Sequence, residues 1–98
     1  MITRVVKLTF KNEHVDTFIG IVQQHQLQIR NFPGCHELHC YQDISSPNIF
    51  FTISKWENDE ALNHYRYSDF FKTLWATLKP MFAEKAMAHS VGMLGQPN

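Results

Sequence analysis

From Met1 to Phe10 the apolar residues Ile2, Val6, Leu8 and Phe10 fall on one face and Thr3, Lys7 and Thr9 on the other. A period of two marks a half-buried strand. The period then changes: Asn12 is a fitting N-cap, and Val15, Phe18, Ile19, Val22 and Ile29 recur near helical spacing until Phe32-Pro33-Gly34 halts them. Cys35 to Gln42 reads as a second strand, Asp43 to Asn48 as a polar turn, and Ile49 to Trp56 as a third strand rich in β-branched and aromatic residues, so the two strands form a hairpin. Asn58 caps a second helix with Asp59 and Glu60 in its first turn, where carboxylates suit the positive end of the helix dipole. Its apolar side is Ala61, Leu62 and Tyr65. Ser68-Asp69 reads as a fresh cap that breaks or bends the helix before Phe71, Leu74, Trp75 and Leu78 resume the stripe. Pro80 ends the helical stretch, Ala83 to Leu94 reads as a last strand, and Gly95-Gln96-Pro97-Asn98 as a frayed tail.

The order β-α-β-β-α-β predicts one α+β domain over residues 1–98, a ferredoxin-like antiparallel sheet of four strands with the helices on one face. The other face then carries apolar residues with nothing over them. A chain of 98 residues is marginal as an independent folding unit, and a second copy is the simplest cover, so a homodimer is expected.

Charge narrows the partners. Lys and Arg total 9, as do Asp and Glu, and the pI is about 7.0, so no net field favours a nucleic acid or an anionic membrane. No apolar run approaches the roughly 18 residues of a membrane span, and the N-terminus lacks a signal peptide's pattern, which predicts a cytoplasmic protein. The segment Cys35-His36-Glu37-Leu38-His39-Cys40 has the composition of a metal site but not the geometry. On a regular strand Cys35, Glu37 and His39 share one face and His36, Leu38 and Cys40 the other. On either face the Cys and His stand roughly 13 Å apart, too far to share a zinc ion, and the two thiols point apart, which forbids a disulfide. Free thiols and no metal are the expectation.

Trp56-Glu57, Glu60-Ala61-Leu62-Asn63-His64 and Ser68-Asp69-Phe70-Phe71 are together similar to the signature of the antibiotic biosynthesis monooxygenase family, and length and element order match it along nearly the whole chain. The resemblance implies a dimeric α+β barrel with a pocket between each sheet and its own helices. The family includes cofactor-independent quinol monooxygenases, haem-degrading enzymes, isomerases and members without known activity. Its haem-degrading branch relies on an Asn and a His that would fall near Val6 and Trp75, and neither is present. His64 resembles instead the His shared by quinol-oxidising and unassigned members, which often carry a Glu where this chain has Ser54.

A quinol monooxygenase of this kind takes its electrons from the substrate: removal of a phenolic proton yields an electron-rich anion that reduces dioxygen, so no cofactor is expected. The protein supplies a base, donors to hold the quinol oxygens and an apolar pocket. His64 is the candidate base, Tyr65 or Tyr67 and Ser54 the orienting groups, and Trp56, Phe71, Trp75 and Phe51 the stacking rings for a small planar aromatic substrate. Plainer assignments exist for each. His64 is otherwise a partly exposed helix histidine, Trp56 and Trp75 core residues, His39 and His89 sheet residues, and Met81, Met87 and Met93 gap-fillers. The alternative function is a non-catalytic dimeric binding module that keeps the pocket without the proton relay.

Overall fold

The structure is a computed structural model that describes residues 1–95. Strands β1 (Ile2–Thr9), β2 (Cys35–Gln42), β3 (Ile49–Trp56) and β4 (Met87–Val91) form one antiparallel sheet in the order β2-β3-β1-β4. Helices α1 (Val15–Arg30), α2 (Asp59–Arg66) and α3 (Asp69–Leu78) complete the ferredoxin-like α+β fold. No helix among the described residues is long and apolar enough to cross a membrane.

Local chemistry accounts for most boundaries. Asn58 Oδ1 accepts the Ala61 N–H at 2.9 Å and starts α2. Ser68 separates α2 from α3: its hydroxyl accepts the Phe71 N–H at 3.1 Å and donates to the Tyr65 carbonyl at 2.6 Å. Asn12 does not cap α1 as expected, because residues Asn12–His14 form a 3-10 turn and α1 starts at Val15 without a side-chain cap. The last strand is also shorter than Ala83–Leu94. β4 pairs only with the β1 edge from Thr3 to Lys7, and β1 ends one residue beyond, at Ile2, so little backbone is left for pairing past Val91. On the other side regular pairing gives way to an isolated bridge between Phe10 and Phe82, with the Ala83 N–H donating to the Thr9 carbonyl at 2.8 Å. Of the expected frayed tail, residues 96–98 lie outside the described residues.

Register decides what each face of the sheet presents. β1 pairs with β3 so that Ile2, Arg4, Val6 and Leu8 stand opposite Trp56, Ser54, Thr52 and Phe50, and this set faces the helices. β2 departs from strict alternation. Cys35 pairs with Trp56 but Glu37 with Lys55, which leaves His36 as an extra, bulged residue. The bulge places Cys35, Leu38 and Cys40 together on the helix side, correcting the expectation that the two cysteines point to opposite faces. Both thiols are free. The opposite face shows Val5, Tyr41, Phe51, Ile53, Met87 and Val91 among Lys7, Lys55, Glu37, His39 and His89, with no helix over it.

The helix-side core divides into two clusters. One joins Leu8, Phe10, Phe18, Phe50 and Leu78, with the Phe10 and Phe18 rings stacked at 4.3 Å between centroids. The other joins Cys35, Trp56 and Leu62 with Ile2, Phe32, Ala61 and Tyr65 around them.

Gly34 makes the turn between α1 and β2 possible. Its φ is +83°, in the left-handed region, and a Cβ there would collide with the Cβ of Ala61 on α2. Gly34→Ala is expected to lose more than about 2 kcal/mol, since backbone strain alone costs about 1–3 kcal/mol and the collision adds to it; urea unfolding measures the difference.

Candidate functional site

Between the two clusters lies a cavity of about 320 Å³, and the strands explain it. Along β3 the helix-side residues run Phe50, Thr52, Ser54, Trp56, so two small polar side chains separate two large rings. Cys40 and Leu38 from β2 and Ala88 from β4 continue the floor beside them. The helices cross above small residues and cannot close the gap. Phe18, Val22, His25 and Ile29 of α1, Tyr65 and Arg66 of α2, and Phe71, Leu74 and Trp75 of α3 form the walls and roof. Such a space, mostly apolar with a few polar groups, is of the size that holds small ligands.

The aromatic wall is an ordered stack. Trp56 lies parallel to Tyr65 with centroids 5.0 Å apart, Tyr65 meets Phe71 edge-on at 5.0 Å, and Phe71 is parallel to Trp75 at 5.6 Å. Trp56 is fully buried, one layer behind the cavity wall, and its Nε1–H donates to Ser54 Oγ at 2.9 Å. Burial, with a smaller contribution from the nearby Cys35 thiolate charge, pushes the Tyr65 phenol well above its ordinary pKa. Tyr65 is therefore a donor rather than a base. Burial also raises the Cys40 thiol, and outweighs Arg30 in raising that of Cys35, so neither sulfur is an activated nucleophile.

Of the residues singled out in the sequence, Ser54, Tyr65, Phe71 and Trp75 meet at this cavity. Phe51 does not. It is an odd number of residues from Ser54, so strand alternation sends it to the helix-free face. Tyr67 follows the last residue of α2 and is 69% exposed, outside the cavity. His64 lies on the exposed side of α2, edge-on to Phe32 at 6.2 Å, and is not among the cavity residues. The imidazole at the cavity is that of His25, which also borders a second cavity of about 340 Å³ between α1 and α3 and meets Phe70 edge-on at 5.8 Å. A sequence signal for His25 exists. The α1 stripe runs Val15, Phe18, Val22, then Ile29, and position 25 is the step at which helical spacing calls for an apolar residue.

Arg4 carries the same signal on β1, where it interrupts the apolar series Ile2, Val6, Leu8. It lines the cavity with Arg66, and its Nη1 donates to Ser90 Oγ at 3.0 Å. Burial, and secondarily the charge of Arg66, lower the Arg4 pKa. No group of three or more His, Cys, Asp or Glu side chains able to hold a metal ion occurs among the described residues.

A family model described as antibiotic biosynthesis monooxygenase matches residues 1–76. The fold is similar to a crystal structure of an antibiotic biosynthesis monooxygenase, with a TM-score of 0.91 and 17% identity over 97% of this chain and 100% of the other. A conserved protein from Methanosarcina mazei Go1 superposes with a TM-score of 0.85 at 23% identity, covering 93% of this chain and 91% of its own. Rv0793 from Mycobacterium tuberculosis gives 0.88 at 10% identity, covering 99% and 98%. No curated protein matches the sequence. At these identities the structures establish the fold.

Ser54→Ala strands the fully buried Trp56 N–H without its acceptor, and the expected loss of stability is about 1–3 kcal/mol. Thermal unfolding checks it, and the loss is expected to shrink in a Trp56→Phe background, which has no indole N–H to strand.

Proposed function

The chain belongs to the antibiotic biosynthesis monooxygenase family, and from that premise we propose that it oxidises a small planar aromatic of the quinol class with dioxygen, without a bound cofactor. The observation that carries this reading is the cavity, walled by Tyr65, Phe71 and Trp75 and bordered by the imidazole of His25. Deprotonation of a phenolic oxygen raises the electron density of the ring, which then reduces dioxygen; one oxygen atom enters the ring and the other leaves as water. Imidazole is suited to the proton transfer near neutral pH. His25 is favoured by its place on the cavity wall, and His64, on the outer side of α2, is the second candidate. Tyr65, as a protonated phenol, can donate to a quinol oxygen.

The alternative is a binding module of the same fold. Ser54 favours it, because this hydroxyl is already engaged by the Trp56 indole and supplies no carboxylate for a proton relay. In either case we propose a homodimer joined through the helix-free sheet face, whose Val5, Phe51 and Ile53 are only half-buried in the single chain, and a cytoplasmic location, which suits two free cysteines.

Metal-free protein is expected to consume hydroquinone or anthrone aerobically, with stoichiometric dioxygen uptake. His25→Ala is expected to slow turnover by about 10²-fold or more, and His64→Ala to leave it near wild type. Equal rates for wild type and both variants, or none above buffer, would refute the enzymatic reading. Slow turnover in His64→Ala alone would move the base to α2.

Sedimentation at micromolar concentration is expected to give a dimer mass, and Ile53→Asp, which puts a charge at the centre of the sheet face, a folded monomer. A wild-type monomer would rule out the dimer.

A further inference from the structure

The charge on the cavity wall departs from that of the chain. Cations and carboxylates balance at 9 each overall, yet the residues lining the cavity include Arg4 and Arg66 and no Asp, Glu or Lys. Neither arginine has a carboxylate within ion-pair distance among the described residues; the ion pairs found there, His36–Glu57 and Lys55–Glu37, draw on other side chains. The cross-strand neighbours of Arg4 are Ser54 on β3 and Ser90 on β4, both neutral. Ser90 accepts one Nη1 proton at 3.0 Å and so orients the guanidinium without neutralising it. Arg66, as the last residue of α2, suits the negative end of the helix dipole. That explains a cation at this position but not its sharing a cavity wall with a second arginine.

Two like charges held together cost free energy in the empty site, and the cost is relieved by an anion between them. Guanidinium groups present planar forks that match a carboxylate or phosphate and bind it with charge-assisted hydrogen bonds. The rings of Phe71 and Trp75 lie on the same cavity. We infer that the ligand is a planar aromatic bearing an anionic oxygen group, with its ring against Phe71 and Trp75 and its anionic group between Arg4 and Arg66. This deepens the reading that the cavity takes a planar aromatic, on which it rests, but does not depend on that aromatic being oxidised.

The test therefore measures binding, without turnover. Quenching of Trp fluorescence and calorimetry on the wild-type protein compare 2-naphthoate, 2-naphthyl phosphate and the neutral 2-naphthamide, which share a ring system. At least one of the anions is expected to bind about tenfold or more tightly than the amide, as fits hydrogen bonds to a charged group, and its affinity to fall as salt rises; the tighter anion identifies the group. Arg4→Gln and Arg66→Gln are each expected to bring the anion to within about threefold of the amide while leaving amide binding in place. Arg66 is on the end of a helix, so its variant keeps the test sound should Arg4→Gln fail to fold. Equal affinities for all three probes, no binding of any, or a preference for anions that survives in both variants would overturn the proposal. Anion preference together with an absence of dioxygen uptake would uphold this inference while refuting the oxidation; uptake with neutral quinols and no anion preference would do the reverse.

Discussion

Trp56 sits where β3 ends, paired to Ile2 on one side and Cys35 on the other, and is fully buried beneath Tyr65 and Leu62 of α2. Its indole N–H has nowhere to go but inward, to Ser54. An unsatisfied N–H in such a place would cost about as much as a lost hydrogen bond to a buried group, and truncating so large a ring about 3–5 kcal/mol. These demands fix the end of the sheet against α2. They also fix the Tyr65 ring, which stacks on the indole, and through Tyr65 the positions of Phe71 and Trp75. The aromatic wall of the cavity is thus set by a residue that does not itself face the cavity.

Most of the architecture was open to inspection in the amino-acid order, because each element carries its own local signal. The boundaries of β2 and β3, the Asn58 cap and the Ser68 break between α2 and α3 all follow from period, turn chemistry and capping. The failures have physical causes. The bulge at His36 depends on pairing with β3, which no local pattern in β2 encodes, and strict alternation without it sends the cysteines to opposite faces. The extent of β4 depends on how much of β1 is free to pair. Asn12 is a good cap in isolation, but a 3-10 turn takes its place.

The site was less legible for a different reason. Aromatic residues and a histidine near the signature segment point to His64, Tyr67 and Phe51, yet strand and helix geometry set these outside the cavity. Arg4 and His25, which face it beside Ser54 and Tyr65, are marked instead by breaks in the apolar stripes. Arg4 interrupts β1 and His25 interrupts α1, while Thr52 and Ser54 interrupt the large apolar residues of β3. A core stripe tolerates such breaks only where the side chain has a partner or a space, and here the breaks from separate elements converge on one space.

Ser54 shows how structure and chemistry share a position. The resemblance to quinol-oxidising and unassigned members of the family implies a glutamate where this chain has Ser54, and Arg4 is the direct cross-strand neighbour of that position. A carboxylate there would both accept the Trp56 N–H and neutralise Arg4. A hydroxyl meets the first need and not the second, so the indole stays satisfied while the arginine charge remains available to the cavity. Ser54 and Ser90 therefore leave the Arg4 guanidinium without a counter-ion among its cross-strand neighbours. The cavity wall carries no Asp or Glu, and the imidazole on it is that of His25.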